Sequence, residues 1–272
     1  MYANTGNGAK EVFRGIVWQN GGPSDTDAQE VSLVCYDKLI YLMKSKDTFF
    51  AVNGKTTKDV ITSIANKWGF TISYKYKSIT HSKLVYRSQY IADIITDILN
   101  KVKKSTGTDY VIRMEKDVVV IDSVGTNSTI YKIESEKNAI STDYKESMED
   151  MVTKVLIVKA ETVTKNGSDS ETGKYLTVTS VSKNTGTYGT LQDIIVKEKD
   201  EKLEDSKKEA NEILKEHATP KIEASTMAID NPLVKKGDKV YVSAGTMKNY
   251  YIVKGIEHDA LKKVMYLEVK KA

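Results

Sequence analysis

The sequence predicts an α+β fold dominated by strands, with an α/β module between two β regions and one long surface helix. Three observations carry that reading. Short runs of alternating or β-branched residues, bounded by Gly, Asn and Asp turns, fill both ends of the chain; two segments with helical apolar spacing lie between residues 53 and 103; a third, narrower one covers residues 201–217. At 272 residues, with 40% hydrophobic residues and 3 Pro, the chain suits one large or two ordinary domains and is unlike a collagen, a coiled coil or a disordered chain.

Residues 11–18, with Val12-Phe13-Arg14-Gly15-Ile16-Val17-Trp18, have strand character, and Asn20-Gly21-Gly22-Pro23-Ser24-Asp25 supplies a dense turn signal. A second strand over residues 29–36 completes a hairpin. Cys35 lies within it. As the sole cysteine it has no internal disulfide partner, and it is expected to be an inert, buried strand thiol. Asp37 then stands where it caps a short helical turn running through Leu42.

A different texture begins near Asn53. Thr56-Thr57-Lys58-Asp59 precedes Val60, Ile61, Ile64 and Trp68 at helical spacing, and Gly69 occupies the place of a C′ glycine. Residues 70–76 alternate as a half-buried strand does. A second helix is predicted over residues 88–103, with Ile91, Ile94, Ile95, Ile98, Leu99 and Val102 on one face. Residues 110–114 and 118–121 form a hairpin about Glu115-Lys116-Asp117.

After Gly125 strands return over residues 129–134, 151–161, 175–182 and 191–197, with Thr164-Lys165-Asn166-Gly167-Ser168-Asp169 as a turn. In the helix over residues 201–217, Leu203, Ala210, Ile213 and Leu214 make a narrow stripe among charged faces, the pattern of a helix lying on a surface. Strands over residues 221–227, 239–243, 250–258 and 263–270, separated by Lys236-Gly237-Asp238 and Ala244-Gly245-Thr246, read as a small barrel or a sandwich.

Charge excludes some functions. The 41 Lys and Arg against 37 Asp and Glu give +4, interleaved as in Lys197-Glu198-Lys199-Asp200-Glu201-Lys202. Arginine, the preferred reader of guanine and phosphate, occurs only at Arg14, Arg87 and Arg113, so sequence-specific nucleic-acid binding is not expected. No apolar run approaches the ~18 residues of a membrane span, and the polar opening lacks a signal-peptide core. A soluble chain made in a cytosol, without membrane insertion, is expected.

Chemical motifs fail one by one. Gly54-Lys55-Thr56 resembles the end of a P-loop, but Phe49 stands where its first glycine belongs. Gly6-Asn7-Gly8 follows no strand and reads as a flexible terminus. The histidines His81, His217 and His258 are far apart. In Glu257-His258-Asp259 a strand would point both carboxylates away from the imidazole, so the segment reads as a strand end followed by a turn, with no metal site. No Gly-x-Ser-x-Gly elbow is present, and no carboxylate pair is singled out locally. Neither catalysis nor a cofactor is therefore expected. The sixteen tyrosines read as core and interface packing, and Asn127-Ser128-Thr129 and Asn166-Gly167-Ser168 as chance sequons.

The order of these pieces resembles a known family. Phe13-Arg14-Gly15-Ile16-Val17, then Val31-Ser32-Leu33-Val34-Cys35-Tyr36-Asp37 and Tyr41-Leu42, is similar to the opening of baseplate hub proteins of contractile-tailed phages, defective prophages of the PBSX kind and R-type bacteriocins. Residues 147–155 look like the strand re-entering a first barrel in that family. Tyr188-Gly189-Thr190-Leu191-Gln192, Gly237-Asp238 within Val234-Lys235-Lys236-Gly237-Asp238-Lys239-Val240, and Tyr251-Ile252-Val253 through His258 resemble its later motifs. The resemblance covers residues 11–272 and rests on order more than on any one motif. Family members usually carry further strands before the Phe-x-Gly-x-Val strand, and here residues 1–12 precede Phe13.

The resemblance implies two small, tube-like β-barrel domains. Residues 1–52 would begin barrel 1, residues 53–125 form the inserted α/β module, residues 126–200 return to barrel 1 and its connection, and residues 201–272 supply the surface helix and barrel 2. It further implies a homotrimeric symmetry adaptor that joins tail tube and baseplate proteins to a central spike protein and passes a tape-measure protein or DNA without reading sequence. Such a part would belong to a virion or tail-like particle assembled in the bacterial cytoplasm. A tail-associated cell-wall hydrolase or glycan-binding module is the alternative. Phe13, Gly15, Asp37, Tyr188, Gly189, Gln192, Gly237, Asp238, Tyr251 and His258 are the family-motif positions, with structural roles.

Overall fold

In the computed structural model, which describes residues 1–4, 8–22, 31–165, 168–197 and 202–272, about half of the described residues lie in strands and about a fifth in helices. The β-dominated expectation is met. The chain divides into two units, Met1–Thr142 with Ser225–Ala272, and Asp143–Ala224.

The first unit opens with β1 (Tyr2–Asn4) and β2 (Ala9–Glu11), paired antiparallel. The Met1 ammonium donates to the Phe13 carbonyl at 2.7 Å; Gly6 and Asn7, read as part of a flexible terminus, lie outside the described residues. Strands β3 (Ile16–Gly21) and β4 (Ser32–Tyr36) form the predicted hairpin, with a bulge between Val17 and Gln19. Its predicted turn beyond Gly22 and the start of its second strand at Gln29 lie outside the described residues. Cys35 is exposed, against expectation. Strand β4 is solvent-facing along its whole length, so its membership of a ladder does not bury the thiol.

The Asp37 carboxylate accepts the Leu39 amide at 2.9 Å and starts α1 (Leu39–Lys44), which buries Ile40 and Leu42. Then β5 (Lys46–Ala51) leads to α2 (Thr57–Lys67). Thr56 and Asp59 close a reciprocal capping box, the hydroxyl accepting the Asp59 amide at 3.2 Å and the carboxylate the Thr56 amide at 3.3 Å. Gly69, at φ +70°, ends this helix in the left-handed conformation that glycine adopts without strain.

Next come β6 (Thr71–Tyr74), β7 (Leu84–Tyr90) and α3 (Ile91–Thr106). The second helix thus begins after residue 88, because residues 84–90 are held in a ladder with β5. Neither β5 nor β7 was predicted. The hairpin of β8 (Tyr110–Glu115) and β9 (Val118–Ser123) is as expected, and β6 adds parallel to β9. Helices α2 and α3 cover one face of this sheet, packing Ile61, Ile64, Ile94, Ile98 and Leu99 with Ile121. Each such side chain contributes about 1.5–3 kcal/mol of burial.

Strand β10 (Tyr131–Glu134) is followed by β11 (Ala139–Ser147), the latter unpredicted. The second unit then builds a three-stranded sheet from β12 (Lys154–Lys165), β13 (Ser168–Ser182) and, after the short α4 (Thr185–Tyr188), β14 (Gln192–Lys197), in the order β13-β12-β14. Asn166 and Gly167 of the predicted turn lie outside the described residues, as do residues 198–201, which include the predicted start of the next helix. That helix, α5 (Leu203–His217), lies on the sheet as its narrow stripe requires: Ala210 and Leu214, with Ala218 beyond them, pack on Val155, Ile157 and Ile195.

The chain returns to the first unit in β15 (Lys221–Ile229), followed by β16 (Lys239–Ala244), β17 (Met247–Asp259) and β18 (Val264–Lys271). With β10 and β11 they make one sheet in the order β10-β16-β17-β18-β15-β11. Val240, Val242, Val253, Leu267 and Val269 line its buried side at alternate positions. The two edge strands, β10 and β11, are consecutive in the chain, so the sheet curls to bring its edges together. Asn138 fastens them: its carboxamide accepts the Glu134 amide and donates to the Lys132 carbonyl, both at 2.9 Å. Its backbone carbonyl accepts the Ile229 amide at 2.8 Å.

Candidate functional site

The motif positions do not converge on one pocket; they build joints. The most developed is the turn before β16. Gly237 has φ +90°, and a Cβ there would lie 2.9 Å from the side chain of Val111 on β8. Its amide donates to the Val253 carbonyl at 2.8 Å, and its carbonyl accepts the Gly125 amide at 2.7 Å. Asp238 is buried beside it. Its carboxylate accepts the Lys235 amide and its carbonyl accepts the Val253 amide, both at 2.9 Å. Burial pushes the Asp238 carboxyl above the usual range, against the Lys235 amide bond and the positive charge of Arg113 and Lys235.

Around this turn the α/β body and the curled sheet are tied by polar contacts. Asn127 accepts the Lys239 amide at 2.6 Å and donates to the Lys239 carbonyl at 2.9 Å. Glu115 meets Arg113 at 2.8 Å and Lys235 at 3.6 Å, and Asp109 meets Lys103 at 2.9 Å and Lys270 at 3.7 Å. Tyr251 is buried on β17, opposite Val240 and Lys271.

Other motif residues act in the same way. A Cβ on Gly15 would meet the Tyr36 carbonyl and lie 2.6 Å from the Phe13 ring, so the Phe-x-Gly spacing lets the chain pass under that ring and beside β4. His258 holds Asp230 through Nδ1 at 2.6 Å and faces the Val234 carbonyl with Nε2 at 3.1 Å. The Asp259 carboxylate accepts the Lys262 amide at 2.9 Å in the turn that follows β17. In the second unit the Gly189 carbonyl, at the end of α4, accepts from the buried Thr153 hydroxyl at 2.7 Å, and that oxygen accepts the Leu191 amide at 2.8 Å. Tyr188 is half-buried there, and Gln192 is exposed opposite Lys154. The bonding roles of Asn127, Asn138 and Thr153 escaped the sequence reading. Their only sequence signal is a polar residue at a strand boundary.

The remaining candidates are surfaces. Strands β3 and β4 carry no charged residue and leave Val17 and Leu33 exposed, with Trp18 edge-on to Tyr36 and Tyr41 at 6.2 and 6.3 Å. Phe50 and Val85 face solvent as a cross-strand pair on β5 and β7, and Ile194 and Val196 face solvent two residues apart on β14. Contiguous apolar surface of this kind marks interaction sites. Among the described residues no group of three or more His, Cys, Asp or Glu is arranged to hold a metal ion. No described helix is long and apolar enough to cross a membrane.

The fold of this chain is that of phage and prophage tail proteins. The tail protein from Neisseria meningitidis MC58 matches 94% of this chain and 79% of its own, with a TM-score of 0.66 at 15% identity. The 43 kDa tail protein of prophage MuSo2 from Shewanella oneidensis matches 89% and 70%, with a TM-score of 0.63 at 11% identity. Sequence narrows the placement: residues 4–270 match the YQBQ-like family model, and the chain belongs to that family. A relative, the uncharacterized protein YqbQ of Bacillus subtilis (strain 168), is 26% identical over 257 residues, 89% of this chain and 72% of that protein.

Proposed function

We propose that this protein is the structural hub of a contractile phage-tail-like particle, a homotrimeric symmetry adaptor between the tail tube and baseplate and the central spike. The observation that carries the reading is a tail-protein fold spanning nearly the whole chain, in a member of the YQBQ-like family. Residues 53–125 would serve as an inserted α/β module; residues 131–147, expected to rejoin residues 1–52 in a first barrel, instead share the curled sheet with β15–β18, so that sheet would supply one small barrel and the remaining strands the other. Two barrels per chain give six in a trimer, which suits a sixfold tube above a threefold spike. The uncharged, apolar β3–β4 strands offer surface for subunit contact and none for reading nucleic acid. Its partners are further copies of itself, the spike, tube and baseplate proteins and the tape-measure protein. It acts as a virion or particle component assembled in the cytoplasm, without catalysis, and the motif residues serve as joints.

Native mass spectrometry of the full-length protein, alone and with the spike protein of the same particle, tests this. A trimer, or a complex with three chains on one spike, is expected. A strict monomer that ignores the spike would overturn it, and clearance of a peptidoglycan suspension would favour a tail-associated hydrolase instead.

A further inference from the structure

Between α1, α2, the start of α3 and one face of the β6-β9-β8 sheet lies a cavity of about 340 Å3. Its wall includes Leu42, Ile61, Ile95 and Ile121, all buried. Two polar side chains reach it, Asp93 and Thr96, both from exposed positions on α3. Protein interiors keep few voids larger than a water molecule, and this volume falls within the ~300–1,000 Å3 of small-molecule sites. An apolar cavity stays dry and accepts apolar guests.

Asp93 is the one charged side chain among the residues that line the cavity. It stands in the first turn of α3, and no cation pairs with it among the described residues. A guest with an anionic head would set two like charges side by side, whereas a cationic head finds a counterion.

We propose that this cavity binds a single hydrocarbon chain bearing a cationic head, the chain lying among Leu42, Ile61, Ile95 and Ile121 and the head at Asp93. The site is independent of the hub reading, since every group that forms it lies between Leu39 and Ile121 of one chain.

The test titrates the full chain with decyltrimethylammonium and with decanoate, each below its micelle concentration, and follows isoleucine methyl signals by NMR. Saturable shifts at Ile61, Ile95 and Ile121 are expected. Decyltrimethylammonium should bind about two- to five-fold tighter than decanoate at low salt, the scale of one exposed ion pair, with the gap closing in D93N and at high salt. Ala65→Trp fills the space and should remove binding of both probes. Ala92→Phe, at a second wall position, gives the same reading if the first variant fails to fold, and thermal unfolding identifies which variants are folded. Absence of saturable shifts, decanoate binding as tightly as the cation, or undiminished binding in a folded filled variant would each overturn the proposal.

Discussion

The carboxamide of Asn127 grips the backbone of Lys239 at both ends, accepting from its amide at 2.6 Å and donating to its carbonyl at 2.9 Å. It thereby mimics a neighbouring strand at the start of β16 and joins segments 112 residues apart. Asn127→Ala should destabilise the protein by about 1–3 kcal/mol, because two half-buried backbone groups of Lys239 lose their partners. Asn127→Asp keeps the acceptor but not the donor and should fall between. Urea unfolding of the three proteins measures the order; an alanine variant as stable as the parent would show the contact to be idle.

Gly237 makes a separate, dissectable demand. Gly237→Ala suffers both from φ +90° and from the approach of the new Cβ to Val111, for a loss of about 1–3 kcal/mol from the backbone alone. Adding Val111→Ala should relieve the collision and leave the backbone cost, so the two changes together lose less than their sum. A double-mutant cycle in thermal unfolding reads the coupling.

Acid should act through His81. The ring is buried, with Nε2 2.8 Å from the Thr57 hydroxyl. Burial lowers its pKa, the nearby Lys101 charge adds to the effect, and Asp97 opposes it. The unfolded chain protonates this group near the ordinary 6.5, whereas the folded chain resists the proton. Its contribution is therefore complete above pH 6.5 and declines as the pH falls below that value. Between pH 7.5 and 5.5 the parent should lose more stability than His81→Gln, by urea midpoints; equal losses would exclude the histidine as the cause.

Cys35 supplies a surface probe. Its exposure on β4 predicts alkylation of the folded, isolated chain at a rate within about tenfold of the urea-unfolded chain, since access and thiolate fraction govern the reaction. Slower labelling in an assembled particle would mark the β3–β4 surface as covered there. A folded, isolated chain that resists iodoacetamide would contradict the exposed strand.

What the sequence disclosed followed how local each signal was. Helices α2 and α3 were readable because 3.6-residue spacing repeats within one window, and α2 adds its Thr56–Asp59 capping box and Gly69. Strand β5 was hidden because Phe49 and Phe50 are adjacent and blur the alternation, though only Phe50 is exposed. Strand β11 was hidden because its residues are mostly polar and exposed. The joints were hardest to read: Asn127 looked like a sequon, and His258 finds its partner in Asp230, 28 residues away, not in its flanking carboxylates. Long-range pairing leaves no local periodicity to detect.

Asn138 carries a consequence for how the protein behaves in a crowded cell. Its carboxamide occupies the Glu134 amide and the Lys132 carbonyl, the backbone groups of β10 that bond to no strand on that side. An exposed row of such groups is a template on which another chain adds as a further strand and seeds aggregation. One asparagine takes up two groups of that template, so this end of β10 is less open to a passing strand.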